Sequence, residues 1–94
     1  MKDKILEWAE PKGLLNPGFA SKQFMKLVEE VGELSNAMLK DKKEEIIDAL
    51  GDIQVVLTIL AKQLDLDLDE CLKSAYNQIK NRKGKTINGT FIKD

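Results

Sequence analysis

Between residues 21 and 40 the apolar positions are Phe24, Leu27, Val28, Val31, Leu34 and Met38. Steps of three and four residues predict one helix with a single apolar stripe. Asp41, with Glu44 three residues later, has the form of a capping box and predicts the start of a further helix, running to about Gln63. Along that helix Ile46, Leu50, Ile53, Leu57 and Leu60 make one apolar side, and Val55, Val56 and Ile59 make a second. A helix apolar on two sides is expected to be buried nearly all round. Asp67 and Glu70 repeat the cap signature and predict another helix to about Lys83, with Gly84 as its stop. Ahead of these, "KDKILEWAEPKGLLNPG" reads as a short helix followed by a loop, punctuated by Pro11, Gly13, Pro17 and Gly18. The tail alternates around Asn88-Gly89, the signature of a small hairpin or ordered arm. The expected fold is all-α: one domain over residues 1–94, an antiparallel bundle of three to four helices with a short C-terminal arm.

The polar positions raise a question. Glu29, Glu30 and Glu33 fall within two helical turns, and like charges at such spacings repel by a few tenths of a kcal/mol per pair. On the next helix Glu45, Asp48 and Asp52 share a sector of roughly 60°, at about 100° per residue. The same face turns apolar beyond Asp52. These carboxylates are therefore expected at one end of the core, where an unpaired charge is costly and must protonate, find a cation or bind a metal. If the two helices pack antiparallel, both acidic sets face one cavity. Oxygen ligands without nitrogen or sulfur favour magnesium or manganese.

Composition narrows the chemistry. The chain has 94 residues, 43% hydrophobic and 33% charged, with a net charge of −1. That balance gives no bulk field for nucleic acid or an anionic membrane. With no histidine and only Cys71, a disulfide framework and a Cys/His zinc site are excluded. Cys71, Met25 and Met38 read as packing residues. The longest near-apolar stretch, "IQVVLTILA", is too short for a bilayer, no signal sequence opens the chain, and a cytoplasmic protein is expected.

"EEVGELSNA" followed by "EEIIDALGDIQVVL" resembles the MazG-like all-α nucleoside triphosphate pyrophosphohydrolases, whose signature is E-E-x-x-E on one helix and E-x-x-D on the next. "WAEPKGLLNPG", "SKQFMKLVEE" and "AYNQIKNRKGKTINGTFIKD" are similar to the flanking text of small, phage-type members. The resemblance implies Mg²⁺- or Mn²⁺-dependent hydrolysis of a nucleoside triphosphate to the monophosphate and pyrophosphate. It places Glu29, Glu30 and Glu33 on the first motif and Leu50-Gly51-Asp52 on the second, but Ala49 stands where the second motif has glutamate. Asp48 with Asp52 is the preferred replacement, and Glu45-x-x-Asp48 is a shifted one. The implied metal ligands are Glu30, Glu33, Asp48 and Asp52, with Glu29 or Glu30 activating water.

Lys26, Lys80, Arg82 and Lys83 are the cations expected at the phosphates, although "KNRKGK" also suits a solvated helix C-terminus. Trp8 is a candidate to stack on a base or to anchor the core, and Gln23 and Asn77 are candidates for a base edge or phosphate. A chain this small, with two apolar helices, is expected to assemble as a homodimer or homotetramer. The rivals are a phosphoribosyl-ATP pyrophosphohydrolase-like enzyme and a catalytically inactive helical interaction module.

Overall fold

The computed structural model describes all 94 residues. It contains helices α1 (Lys2–Ala9), α2 (Ala20–Leu39), α3 (Lys43–Gln63) and α4 (Leu68–Ile79), then strands β1 (Gly84–Ile87) and β2 (Thr90–Lys93). Two single 3₁₀ turns, Glu10–Lys12 and Pro17–Phe19, shape the loop between α1 and α2. The all-α expectation holds. A three-residue link folds α3 back along α2, and this pair is the spine on which α1 and α4 rest.

The links owe their shape to left-handed residues. Asp41 (φ 54°) follows α2, and the backbone N–H groups of Asp41 and Lys42 donate to the carbonyls of Met38 and Ala37. Asp65 (φ 59°) follows α3, with Asp65 and Leu66 donating to Lys62 and Ala61. Both are Schellman closures with aspartate where glycine is usual. This overturns the reading of Asp41 as a helix N-cap. A residue held in the left-handed conformation cannot also take the extended conformation of an N-cap, and Lys42 opens α3 without a side-chain cap. Asp67 does cap α4, its carboxylate accepting from the N–H groups of Asp69 and Glu70. Lys2 reaches Asp67 at 2.7 Å and Asp69 at 3.2 Å, tying α1 to that cap. Lys2 and the two backbone donors hold the Asp67 carboxyl below its ordinary range.

Three further expectations are corrected. α4 stops at Ile79, and Gly84 lies in β1, where a Cβ would strike the β2 backbone and the Phe91 ring. α3 is not buried all round: its second half carries Val56, Ile59 and Ala61 into the core, while Ile47 and Leu50 are half exposed. Cys71, Met25 and Met38 are exposed, so none packs within this chain. Asn88 and Gly89, both at positive φ, turn β1 into β2 as the tail pattern predicts.

The interior is thin. Only nine residues are buried, and no large side chain is fully enclosed. The radius of gyration is 16.0 Å, against about 12 Å for a compact chain of this length. Val28, Val31 and Met38 of the α2 stripe stay at least half exposed. No helix is long and apolar enough to cross a membrane.

Candidate metal and nucleotide site

The middle of α2 carries Glu29, Glu30 and Glu33, and one carboxylate oxygen from each lies within 4.8 Å of the others. Glu30 is only 4% exposed. Its Oε1 forms an ion pair with Lys26 Nζ at 3.2 Å, one turn earlier, and the same ammonium stands 3.5 Å from Glu29 Oε1. Glu30 Oε2 is buried with no hydrogen-bond partner. The adjacent Glu30 carboxylate, to which a protonated Glu33 would donate, and its charge hold the Glu33 carboxyl above the ordinary carboxylate range. Hydrogen bonding to Glu30 and the charges of Glu29 and Glu30 hold the Lys26 ammonium above its own range. Ionised carboxylates only accept, so two of them at this distance cannot satisfy each other. A shared proton relieves the pair in one way; a cation among the three groups relieves it in another.

Glu33 belongs to a second set. With Asn36 of α2 and Glu45, Asp48 and Asp52 of α3, it lines a cavity of about 330 Å³ over the buried Ala37 and Ala49. No cationic side chain lines it. A longer side chain at Ala49 would fill this floor. The acidic sectors of the two helices thus meet as the spacing suggests, with Glu33 common to both sets. A donor set of carboxylate oxygens without nitrogen or sulfur fits magnesium or manganese, and the buried, partnerless Glu30 oxygen is a ligand atom such an ion would take.

A larger cavity of about 520 Å³ adjoins the other side of Lys26. Its walls include Trp8 of α1, Phe19 of the second 3₁₀ turn, and Val56 and Ile59 of α3, with Gln23 and Lys26 of α2. Trp8 is half exposed and carries the Lys12 ammonium 4.5 Å from its ring centroid, so it is not a core anchor in this chain. Three of the sequence candidates, Trp8, Gln23 and Lys26, are therefore brought to one cavity. The others are not: Asn77, Lys80, Arg82 and Lys83 are exposed at the end of α4 and line neither cavity.

Gln63 lines the apolar cavity and was not among the sequence candidates. It is 4% exposed. Its Nε2 donates to the Leu14 carbonyl at 2.8 Å, which fixes the amide orientation and leaves Oε1 buried without a partner. The signal was available, because Gln63 continues the Val56, Ile59 row at helical spacing and so places an amide on an apolar stripe.

A family model described as phosphoribosyl-ATP pyrophosphohydrolase matches residues 2–78, which takes in all four helices but their last residue and both acidic sets. The chain belongs to the phosphoribosyl-ATP pyrophosphohydrolase family. Among curated proteins it is similar to an uncharacterized 18.2 kDa protein from the rep-hol intergenic region of Haemophilus phage HP1, 46% identical over 63 residues. That stretch covers 67% of this chain and 39% of the phage protein, so the chain matches about two fifths of its relative's length. No solved structure matches the chain.

Proposed function

We propose that this chain is a Mg²⁺- or Mn²⁺-dependent pyrophosphohydrolase that cleaves a nucleoside triphosphate to its monophosphate and pyrophosphate. The observation that carries the reading is the partnerless, buried Glu30 oxygen inside a three-glutamate cluster that opens through Glu33 onto a cavity of carboxylates. Family membership supports the reaction class.

Glu30 and Glu33 of α2 and Asp48 and Asp52 of α3 would hold the ions. When bound, such ions neutralise polyphosphate charge and lower the pKa of a coordinated water. Glu29, which is exposed, would orient or deprotonate the attacking water, with Glu30 as the other candidate. Water attacks the α-phosphorus, the bond from that phosphorus to the α–β bridging oxygen breaks, and pyrophosphate leaves with the bridging oxygen. Lys26 lies between the carboxylates and the apolar cavity, where it can follow a phosphate while Trp8 and Phe19 flank the base and Gln23 and Gln63 meet its polar edge. The reading includes assembly into a dimer or tetramer, which the exposed apolar faces of α2 and α3 support.

The family match favours a second substrate, phosphoribosyl-ATP, cleaved by the same attack with the same residues. A panel of nucleoside triphosphates plus phosphoribosyl-ATP, assayed for pyrophosphate with Mg²⁺ and with EDTA, separates the readings. Mg²⁺-dependent release from a triphosphate supports the first, and release from phosphoribosyl-ATP alone supports the second. No release from any of them favours an inactive interaction module.

A further inference from the structure

The C-terminal hairpin has no place on its own chain. β1 and β2 pair with each other, but neither strand packs on a helix. Ile87, Phe91 and Ile92 are each about half exposed, and the cross-strand register puts Ile87 and Ile92 on one face and Phe91 on the other. A lone two-stranded hairpin is marginal in water and needs a surface to rest on. The segment from residue 80 onward is also strongly basic: Lys80, Arg82, Lys83, Lys85 and Lys93 stand against Asp94 alone, and none of the five forms an ion pair.

The same chain presents the complementary surface. The cavity between α2 and α3 holds Glu33, Glu45, Asp48 and Asp52 without a cation of its own. Exposed apolar residues stand next to its lining residues in the chain: Met38 and Leu39 after Ala37 on α2, Ile47 and Leu50 on either side of Asp48 and Ala49 on α3, with Leu39 84% exposed. A basic arm with apolar residues on both faces thus meets, on a second copy, an acidic cavity with an apolar border. A nucleic-acid backbone would answer the charge and leave Ile87, Phe91 and Ile92 uncovered.

We propose that the hairpin arm docks on a second copy of this chain, bringing Lys80, Arg82, Lys83 and Lys85 to the carboxylate cavity between α2 and α3, so that the phosphate-binding site is completed in trans. Docking stands on charge and apolar surface; only its catalytic consequence rests on the pyrophosphohydrolase reading. The arm lysines neutralise part of the carboxylate charge in the resting assembly and turn to the phosphates of a bound polyphosphate.

The test is zero-length carbodiimide cross-linking of full-length chains, half ¹⁵N-labelled and half unlabelled, unfolded and refolded together. The expected products join arm lysines to Glu33, Glu45, Asp48 or Asp52, with about half pairing a heavy peptide with a light one, as random assembly of a symmetric pair requires. Cross-links only within one label, links to carboxylates elsewhere, or no arm links at all overturn the proposal. Activity gives a second arm. A chain with Arg82→Glu and Lys83→Glu is refolded with a chain carrying Asp52→Asn, each inactive alone. Trans completion restores about a quarter of wild-type turnover, since half the dimers are mixed and each has one intact site; no restoration from an active wild type overturns it. If the wild type releases no pyrophosphate yet the heavy–light links form, docking stands and the enzymatic reading fails.

Discussion

Replacing Glu30 with glutamine separates the two things this residue does. In the metal-free protein this residue is 4% exposed, with one carboxylate oxygen paired to Lys26 and the other without a partner. A buried group left unsatisfied costs roughly 1–3 kcal/mol. Glu30→Gln can donate from its amide toward Glu33 and removes that charge conflict, so the metal-free variant should match or exceed wild-type stability by about 1 kcal/mol. The Mg²⁺ response should move the opposite way. At ten to a hundred times the dissociation constant, an ion that binds only the native state stabilises it by about 1.4–2.7 kcal/mol. One kcal/mol shifts the midpoint by about 4–8 °C in a domain of this size, so wild type should melt on the order of 10 °C higher in Mg²⁺ than in EDTA. Glu30→Gln should lose most of that rise. Scanning calorimetry at matched ionic strength is the assay. Superimposable wild-type curves with and without Mg²⁺ would refute the metal site. A Glu30→Gln variant that is several kcal/mol less stable without metal would refute the claim that its charge is unsatisfied.

Three other expectations follow from the same geometry. Because Glu30 raises the Glu33 pKa in the folded state, the native protein holds a proton that the unfolded chain gives up near pH 4.3. Metal-free stability should therefore fall as pH rises from about 4.3 through the raised value, level off above it, and lose that slope in Glu33→Gln; urea melts across pH check this. Asp48→Asn should lower turnover at least about 10²-fold, worth about 2.7 kcal/mol of transition-state stabilisation, while Glu45→Gln costs less; full rate in the first and a dead second would move the ligand set to Glu45-x-x-Asp48. Asp41→Gly relieves a left-handed aspartate at φ 54° and should raise stability by about 0.5–1 kcal/mol in chemical denaturation, with helix content unchanged.

What could be read in advance was whatever a local rule decides. Helical spacing located α2 and α3 within a residue or two at most ends, and Asn88-Gly89 marked the hairpin because the turn it makes needs positive φ at both positions. Asp41 misled because aspartate suits both an N-cap and a left-handed helix end, and only the backbone distinguishes them. α4 ends earlier than its sequence suggests because "NRKG" has helical composition, whereas Gly84 serves close packing beneath Phe91. In the site, the spacing of Glu29, Glu30 and Glu33 was legible, but the burial of Glu30 depends on what lies across from α2. Gln63 was legible as an amide on the Val56, Ile59 row, but its partner, the Leu14 carbonyl 49 residues away, was not. The wheel of α3 overstated burial because a periodicity shows which positions are apolar, not whether this chain or another covers them.

The most direct test of the central claim is turnover in H₂¹⁸O with Mg²⁺, followed by mass analysis of both products. Attack of water on the α-phosphorus predicts one ¹⁸O in the nucleoside monophosphate, none in the pyrophosphate, and no turnover in EDTA. Label in the pyrophosphate, release of orthophosphate, or turnover that persists without a divalent ion would contradict the account.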